Sequence, residues 1–213
     1  TGYRRQRQMC IRDRFQPIIQ EDFLDSYYFK YLDNWVHSFN IDWKFNNNIS
    51  GKSDFEQTEN DLWKIGCAKG LHWPDQNEGF HTTGSEHLIP AILKMEDTFV
   101  KIPRSCFRAR LDMTFKSLGI RHDPHTDHVM PHWTAILYFS DTDGDTIIYN
   151  ERRDGVKYHL PSLESDVGLT ELIRITPKKN KIVFFDGLHY HTGHSPTKTS
   201  NRILLNVNFT WHT

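Results

Sequence analysis

The chain has 213 residues, 25% of them charged, with a formal net charge of −1 and a sequence pI near 6.9. That balance argues against nucleic acid or an anionic membrane as a partner, and no run approaches the roughly 20 apolar residues of a membrane-spanning helix. Aromatic residues make up 13%, six of them Trp, which excludes a disordered chain, and the length suits one domain with a substantial core. The three cysteines (Cys10, Cys67, Cys106) are odd in number and widely spaced, so no disulfide framework is implied. With no signal-peptide pattern, a reducing cytoplasmic setting is expected, and a monomer is the default.

Residues 1–15 differ from the rest of the chain: arginine-rich, without apolar periodicity, they read as a disordered or non-native tail. From Glu21 to Val36 the residues Phe23, Leu24, Tyr27, Tyr28, Tyr31, Leu32, Trp35 and Val36 recur at helical spacing, giving a helix with a broad aromatic face. Ile41–Asn47 alternates as a short strand and NNNISGKS closes it as a turn. Residues 51–82 read as irregular, with Trp63, Trp73 and Phe80 burying loops. A second helix is expected over Ser85–Phe99, with Ser85 as N-cap and Pro90 pushing its true start later.

After Pro103 the apolar period changes from helical to two. In CFRARLDMTF, Phe107, Ala109, Leu111 and Met113 alternate with Arg108, Arg110, Asp112 and Thr114, a strand with one wet or functional face. TAILYFS, DTIIYNE, ELIRITP, KIVFFDG and NRILLNVNFTW continue as strands, and residues 152–169 form a longer insertion. Helices first, then seven or eight strands, give a mainly β chain, a sandwich or barrel backed by N-terminal helices.

Between the first two of these strands lies RHDPHTDHVMPH, which places His122, His125, His128 and His132 with Asp123 and Asp127 in one short stretch. Imidazole and carboxylate together suit a divalent metal of borderline hardness, and His125-x-Asp127 puts both on one side of a strand or its mouth. A further ligand is available from His189, His191 or His194 near the C-terminus. Residue parity leaves His189 and His191 on the same side.

The succession HTD, TAILYFS, GDTIIYNE, KIVFFDGLHYHTGHSP and NRILLNVNF resembles the Fe(II)- and 2-oxoglutarate-dependent dioxygenases, most of all their prolyl-4-hydroxylase-like and phage-type members. The likeness is clearest over about residues 104–212 and weaker in the lead-in from about 16. HxD alone is a weak motif; HxD, a late His and an Arg in that order, each at a strand boundary, is more specific. The resemblance implies a single oxygenase domain over 16–213, with a helical lead-in (16–103) and a double-stranded β-helix core of jelly-roll, cupin-like form (104–213). Its implied metal ligands are His125, Asp127 and His191, the last eleven positions before Arg202; His189 is the rival. Arg202 would clamp the distal carboxylate of the cosubstrate 2-oxoglutarate, joined by the phenol of Tyr138. Thr134 and Asn206 are pocket-lining candidates. Arg110 either faces the pocket and touches substrate or cosubstrate, or pairs with Asp112 or Asp123.

The implied reaction hydroxylates an unactivated C–H bond while 2-oxoglutarate and O2 become succinate and CO2, with ascorbate helping to keep the iron reduced. A peptidyl proline or another amino-acid residue is the substrate suggested by the subfamily, and a small molecule stays open. His122, His128 and His132 are read as supporting residues and Asp186 as a turn residue. Where relatives often carry a glycine pair, this chain has DTDGDT, a departure expected to alter only the hairpin turn. Two other classes are weighed: a binuclear metallohydrolase built on DPHTDH, and a non-catalytic jelly-roll binding protein.

Overall fold

The computed structural model describes residues 16–38, 40–46, 66–72, 84–101, 105–118, 121–153, 157, 163 and 166–211. The tail at 1–15, Trp63, Trp73, Phe80 and much of the 152–169 insertion lie outside them. The described chain is mainly antiparallel β, in two sheets. The larger has the order β1-β8-β5-β10-β4-β3-β2, from β1 (Ile18–Gln20), β2 (Lys44–Asn46), β3 (Gly66–His72), β4 (Cys106–Phe115), β5 (His132–Tyr138), β8 (Ile182–Asp186) and β10 (Asn201–Thr210). The smaller has the order β7-β6-β9, from β6 (Thr146–Arg152), β7 (Glu171–Ile175) and β9 (His189–Gly193).

Period-two alternation sets which face each side chain takes. On β10, Ile203, Leu205, Val207 and Phe209 join the main core, where they meet Ala109 and Leu111 of β4, Ala135 and Leu137 of β5, and Ile182 and Phe184 of β8. Helix α1 (Ser26–Val36) and helix α2 (Ile89–Met95) cover this face through Leu32, Val36, Ala91, Ile92 and Met95. The opposite face looks toward the small sheet, and its apolar part is limited to Ile136, Tyr138, Val183, Phe185 and Leu204 against Ile148 and Ile175. The rest of that inner face is polar yet buried, including Arg108, Asp112, Thr114, Thr134, Arg202, Asn206 and Asn208. Buried polar residues in such density need partners or a ligand.

Several boundaries differ from the sequence reading. Helix α1 starts at Ser26 rather than Glu21, because Ile18–Gln20 pairs with β8 as an edge strand and Asp25 caps the helix by accepting from the Tyr27 and Tyr28 amides (2.9 and 3.3 Å). Its apolar face is narrower than the aromatic spacing suggests: Tyr27 is 85% exposed and Tyr31 49%. Ser85 opens a short 3-10 turn and does not cap the α-helix, which begins at Ile89 with Pro90 in its first turn, where a missing N–H costs nothing. The stretch read as irregular contains β3, whose GCAKGLH has two glycines and no β-branched residue to announce a strand. Among the described residues no helix is long and apolar enough to cross a membrane.

Candidate metal centre

Arg121 to His125 runs antiparallel beside β9 without forming a regular strand. Isolated bridges join Arg121 to His194 and His125 to His191, and the His122 amide donates to the Gly193 carbonyl at 3.0 Å. His125 and His191 exchange both backbone hydrogen bonds at 2.9 Å, so their rings stand side by side with centroids 4.7 Å apart. Two residues later the chain bends and delivers Asp127. One ligand atom each from His125, Asp127 and His191 lies within 4.8 Å of the others, spacing that can hold a metal ion.

Each imidazole is oriented by a backbone carbonyl. His125 Nδ1 is 3.0 Å from the Asp123 carbonyl oxygen and His191 Nδ1 3.2 Å from that of His189. A carbonyl only accepts, so Nδ1 carries the proton and Nε2 keeps its lone pair for a metal. His191 Nε2 points at the third donor, 3.6 Å from Asp127 Oδ2. Burial pushes the His191 imidazole down to about 4, against the opposing pull of Asp127. The ring is therefore neutral at physiological pH, as a metal ligand must be.

Asp127 sits in a ring of donors. Arg108 Nη1 (3.1 Å) and Asn206 Nδ2 (3.0 Å) reach its Oδ1. Asn206 Nδ2 (3.1 Å), Asn208 Nδ2 (3.0 Å) and Thr134 Oγ1 (3.3 Å) reach its Oδ2. Burial alone would push this carboxyl up, but His191, Arg108, His125 and His132 outweigh it and hold the group well below the usual carboxylate range. Three neighbouring strands (β4, β5, β10) thus converge on one charge, because Arg108, Thr134, Asn206 and Asn208 all have inward parity.

One cavity is lined both by two members of the triad, His125 and His191, and by Arg202. Its wall includes His125 and His191 at one end, Arg202, Thr146 and Gly193 at the other, with Ile136, Leu204 and Asn206 between. Arg202 is 6% exposed; its Nη2 donates to Thr146 Oγ1 at 2.6 Å. It forms no ion pair with a carboxylate among the described residues, and its Nε and the nearby Thr114 Oγ1 have no hydrogen-bond partner there. Burial depresses the guanidinium, a cost that an anion in the cavity would offset. Glycines make room for it: a Cβ at Gly193 would lie 3.1 Å from Arg202 Nη1, and one at Gly144 only 2.9 Å from Arg202 Cδ. The DTDGDT turn therefore does more than close a hairpin, since its glycine backs the arginine.

Tyr138 is placed differently from expectation. Fully buried, its phenol donates to Thr146 Oγ1 at 2.8 Å, and its ring lies 5.8 Å from the Arg202 guanidinium carbon. It supports Thr146 and Arg202 from behind, while Thr146 is the hydroxyl that lines the cavity. Thr134 likewise serves Asp127. Arg110 lines the cavity and also pairs with Asp112: its Nε lies 2.7 Å from Asp112 Oδ1, outside the aligned geometry of a hydrogen bond. His189, the rival ligand, is outside the triad; its Nδ1 is 2.7 Å from the Tyr149 carbonyl oxygen. His122 pairs with Ser195 Oγ at 3.1 Å, and His132 Nδ1 with the Met130 carbonyl at 2.7 Å. Asp186 accepts from the Leu188 amide at 3.0 Å, a turn role, and also pairs with Arg152 at 2.5 Å. Arg108, Asn208 and Thr146 escaped the sequence reading as site residues. For Arg108 and Asn208 the signal was parity, shared with Arg110 and Asn206.

No protein-family model matches the sequence, and no curated protein matches it significantly. Solved structures do match in shape. A 2OG-Fe(II) oxygenase family oxidoreductase from Burkholderia pseudomallei matches with a TM-score of 0.59 at 9% identity, over 92% of this chain and 86% of that one. The epimerase SnoN in complex with Fe3+, alpha ketoglutarate and nogalamycin RO gives 0.60 at 11%, over 96% and 82%. A prolyl-4-hydroxylase from Pseudomonas putida gives 0.52 at 13%, over 94% and 95%. The chain shares the fold of these three structures.

Proposed function

We propose that this protein is an Fe(II)- and 2-oxoglutarate-dependent dioxygenase that hydroxylates an unactivated C–H bond. The observation that carries the reading is a cavity lined by His125 and His191, two of the three donors of the His125–Asp127–His191 set, and by the buried Arg202, which among the described residues forms no ion pair with a carboxylate. That spacing of functions suits a dianionic 2-oxo acid, chelating a metal by one end and pairing with a guanidinium by the other. The fold likeness to an epimerase solved with Fe3+ and alpha ketoglutarate supports the same pair of cofactors.

Iron with 2-oxoglutarate and O2 supplies the oxidising power for C–H cleavage, releasing succinate and CO2, with ascorbate as an accessory reductant. The chain's residues do the positioning. His125 and His191 turn their Nε2 atoms toward the ion's position because their Nδ1 atoms are held by backbone carbonyls. Asp127 stays ionised within its ring of donors, and Thr146 aims Arg202. Ile136 and Leu204 supply the apolar part of the cavity wall and limit water within it. Arg110 and Asp112, a cation and an anion on the same wall, suit a substrate that both accepts and donates hydrogen bonds. We assign the substrate to amino-acid residues, a peptidyl proline first, a reading supported by the fold likeness to a prolyl-4-hydroxylase.

The test is an anaerobic titration of apoprotein with Fe(II) and 2-oxoglutarate, following the weak visible charge-transfer band of a chelated 2-oxo acid. The band is expected in the wild type, absent in Asp127→Ala and His191→Ala, and shifted to higher cosubstrate concentration in Arg202→Met. An iron-loaded protein that gives no band overturns the reading. Peptide and small-molecule panels assayed for succinate release then decide the substrate class.

A further inference from the structure

Asp127 has a resident counter-ion. Arg108 is 7% exposed on β4, and its Nη1 donates both to Asp127 Oδ1 (3.1 Å) and to Asn208 Oδ1 (2.7 Å). A guanidinium in direct contact with a carboxylate neutralises much of its charge toward anything on the far side, most of all in a buried setting where screening is weak. His125 and His191 bring imidazoles, so Asp127 is the only carboxylate of the triad. Arg110 and Asp112 nearly cancel each other at 2.7 Å. The charge presented to an ion at the triad is therefore set mainly by the Asp127–Arg108 couple.

We propose that Arg108 is a charge-tuning, positioning residue of the metal centre: it loosens the site's grip on a divalent ion and tightens the loaded site's grip on an anionic 2-oxo acid. This rests on the metal and cosubstrate reading above. With its carboxylate ligand compensated, a bound ion keeps more of its positive charge, and an incoming carboxylate meets that charge undiminished. Geometry alone does not explain the arginine. Without it, Asp127 still accepts from Asn206 (3.0 and 3.1 Å), Asn208 (3.0 Å) and Thr134 (3.3 Å), which is ample to hold one carboxylate. What Arg108 adds to these neutral donors is charge.

A purely structural role and a charge role differ in sign. Arg108→Gln keeps an amide donor and removes the cation; Arg108→Lys keeps the cation and gives up the fork. Calorimetry with Mn2+, and then with 2-oxoglutarate added to the Mn2+-loaded protein, reads both affinities without turnover. Arg108→Gln is expected to bind Mn2+ about tenfold more tightly and 2-oxoglutarate about tenfold more weakly, a shift in proportion to the loss of one nearby charge. Arg108→Lys is expected to stay within about threefold of wild type for both. If Arg108→Gln weakens both or moves neither, the charge role is wrong. A lysine variant that departs from wild type about tenfold in either affinity is equally fatal, and it carries the test alone should Arg108→Gln fail to fold. A wild type that takes up no Mn2+ removes the metal reading itself, an outcome distinct from either.

Discussion

Individual side chains divide into those that would meet an ion, those that orient them, and those that hold the other end of the cavity. His189 and His191 illustrate the division. They share parity on β9, yet His191 alone joins the triad, while the His189 ring is committed to the Tyr149 carbonyl. His191→Ala is expected to abolish stoichiometric metal uptake by elemental analysis, and His189→Ala to retain it. At the cavity's far end, Arg202→Met should raise the 2-oxoglutarate concentration needed for half-saturation at least tenfold, consistent with about 1.5–3 kcal/mol for a charged hydrogen bond. Metal uptake should be unchanged, because Arg202 touches Thr146 and no member of the triad. The sequence made His125, Asp127, His191 and Arg202 legible because their chemistry is scarce and their order informative. It could not show that Thr146 lines the cavity with Tyr138 hydrogen-bonded to it, since which of two hydroxyls faces a cavity depends on how the two sheets pack.

Strand β10 makes the same point at the level of an element. Its odd residues pack under the helices and its even residues, Arg202, Leu204, Asn206 and Asn208, face the small sheet. Two adjacent substitutions should therefore separate stability from function. Leu205→Ala, fully buried in the main core, is expected to cost about 2–5 kcal/mol in denaturant unfolding while leaving metal stoichiometry intact. Asn206→Ala removes both of its hydrogen bonds to Asp127 and should weaken metal binding with less effect on the unfolding midpoint. Alternation was readable here and on β4 from Arg108 to Thr114, but a register break before it sets Cys106 against the core and Phe107, expected on the core face, against His128 and His132. Strand β9 was not read as one, because HYHTG lacks the alternation of apolar and polar residues that marks a half-buried strand. On the side away from β6 its neighbour is the irregular Arg121–His125 segment, a pairing that no local pattern announces.

At the scale of the whole molecule, histidine burial gives the protein an expected acid sensitivity. His132, His189, His191 and His194 are all held below their ordinary range by burial, His191 at about 4. In the unfolded chain these groups protonate near pH 6.5, so between that pH and about 4 the unfolded state binds protons that the folded state refuses. Stability should be level above about 6.5 and fall as pH drops below it, His191 alone contributing on the order of 3 kcal/mol by pH 4. Asp127 does not counter this, because its folded-state carboxyl stays ionised throughout that window. Thermal unfolding of the apoprotein from pH 8 to 4.5 measures the effect, and a flat melting temperature would contradict it. The overall architecture was foreseeable from the change of apolar period after Pro103. The placement of β1 at the sheet edge was not, since a three-residue strand carries too little pattern to be distinguished from a loop.

The reciprocal backbone hydrogen bonds between His125 and His191 have a consequence for how the protein is made and repaired. Ligands fastened through the main chain stay in register whether or not an ion is present, so loading is expected to be a late and reversible event rather than a condition of folding. Chelator treatment should then strip the ion without melting the sheet, and the stripped protein should recharge within the mixing time. In amide hydrogen exchange, the His125 and His191 amides should be as slow in the stripped protein as in the charged one.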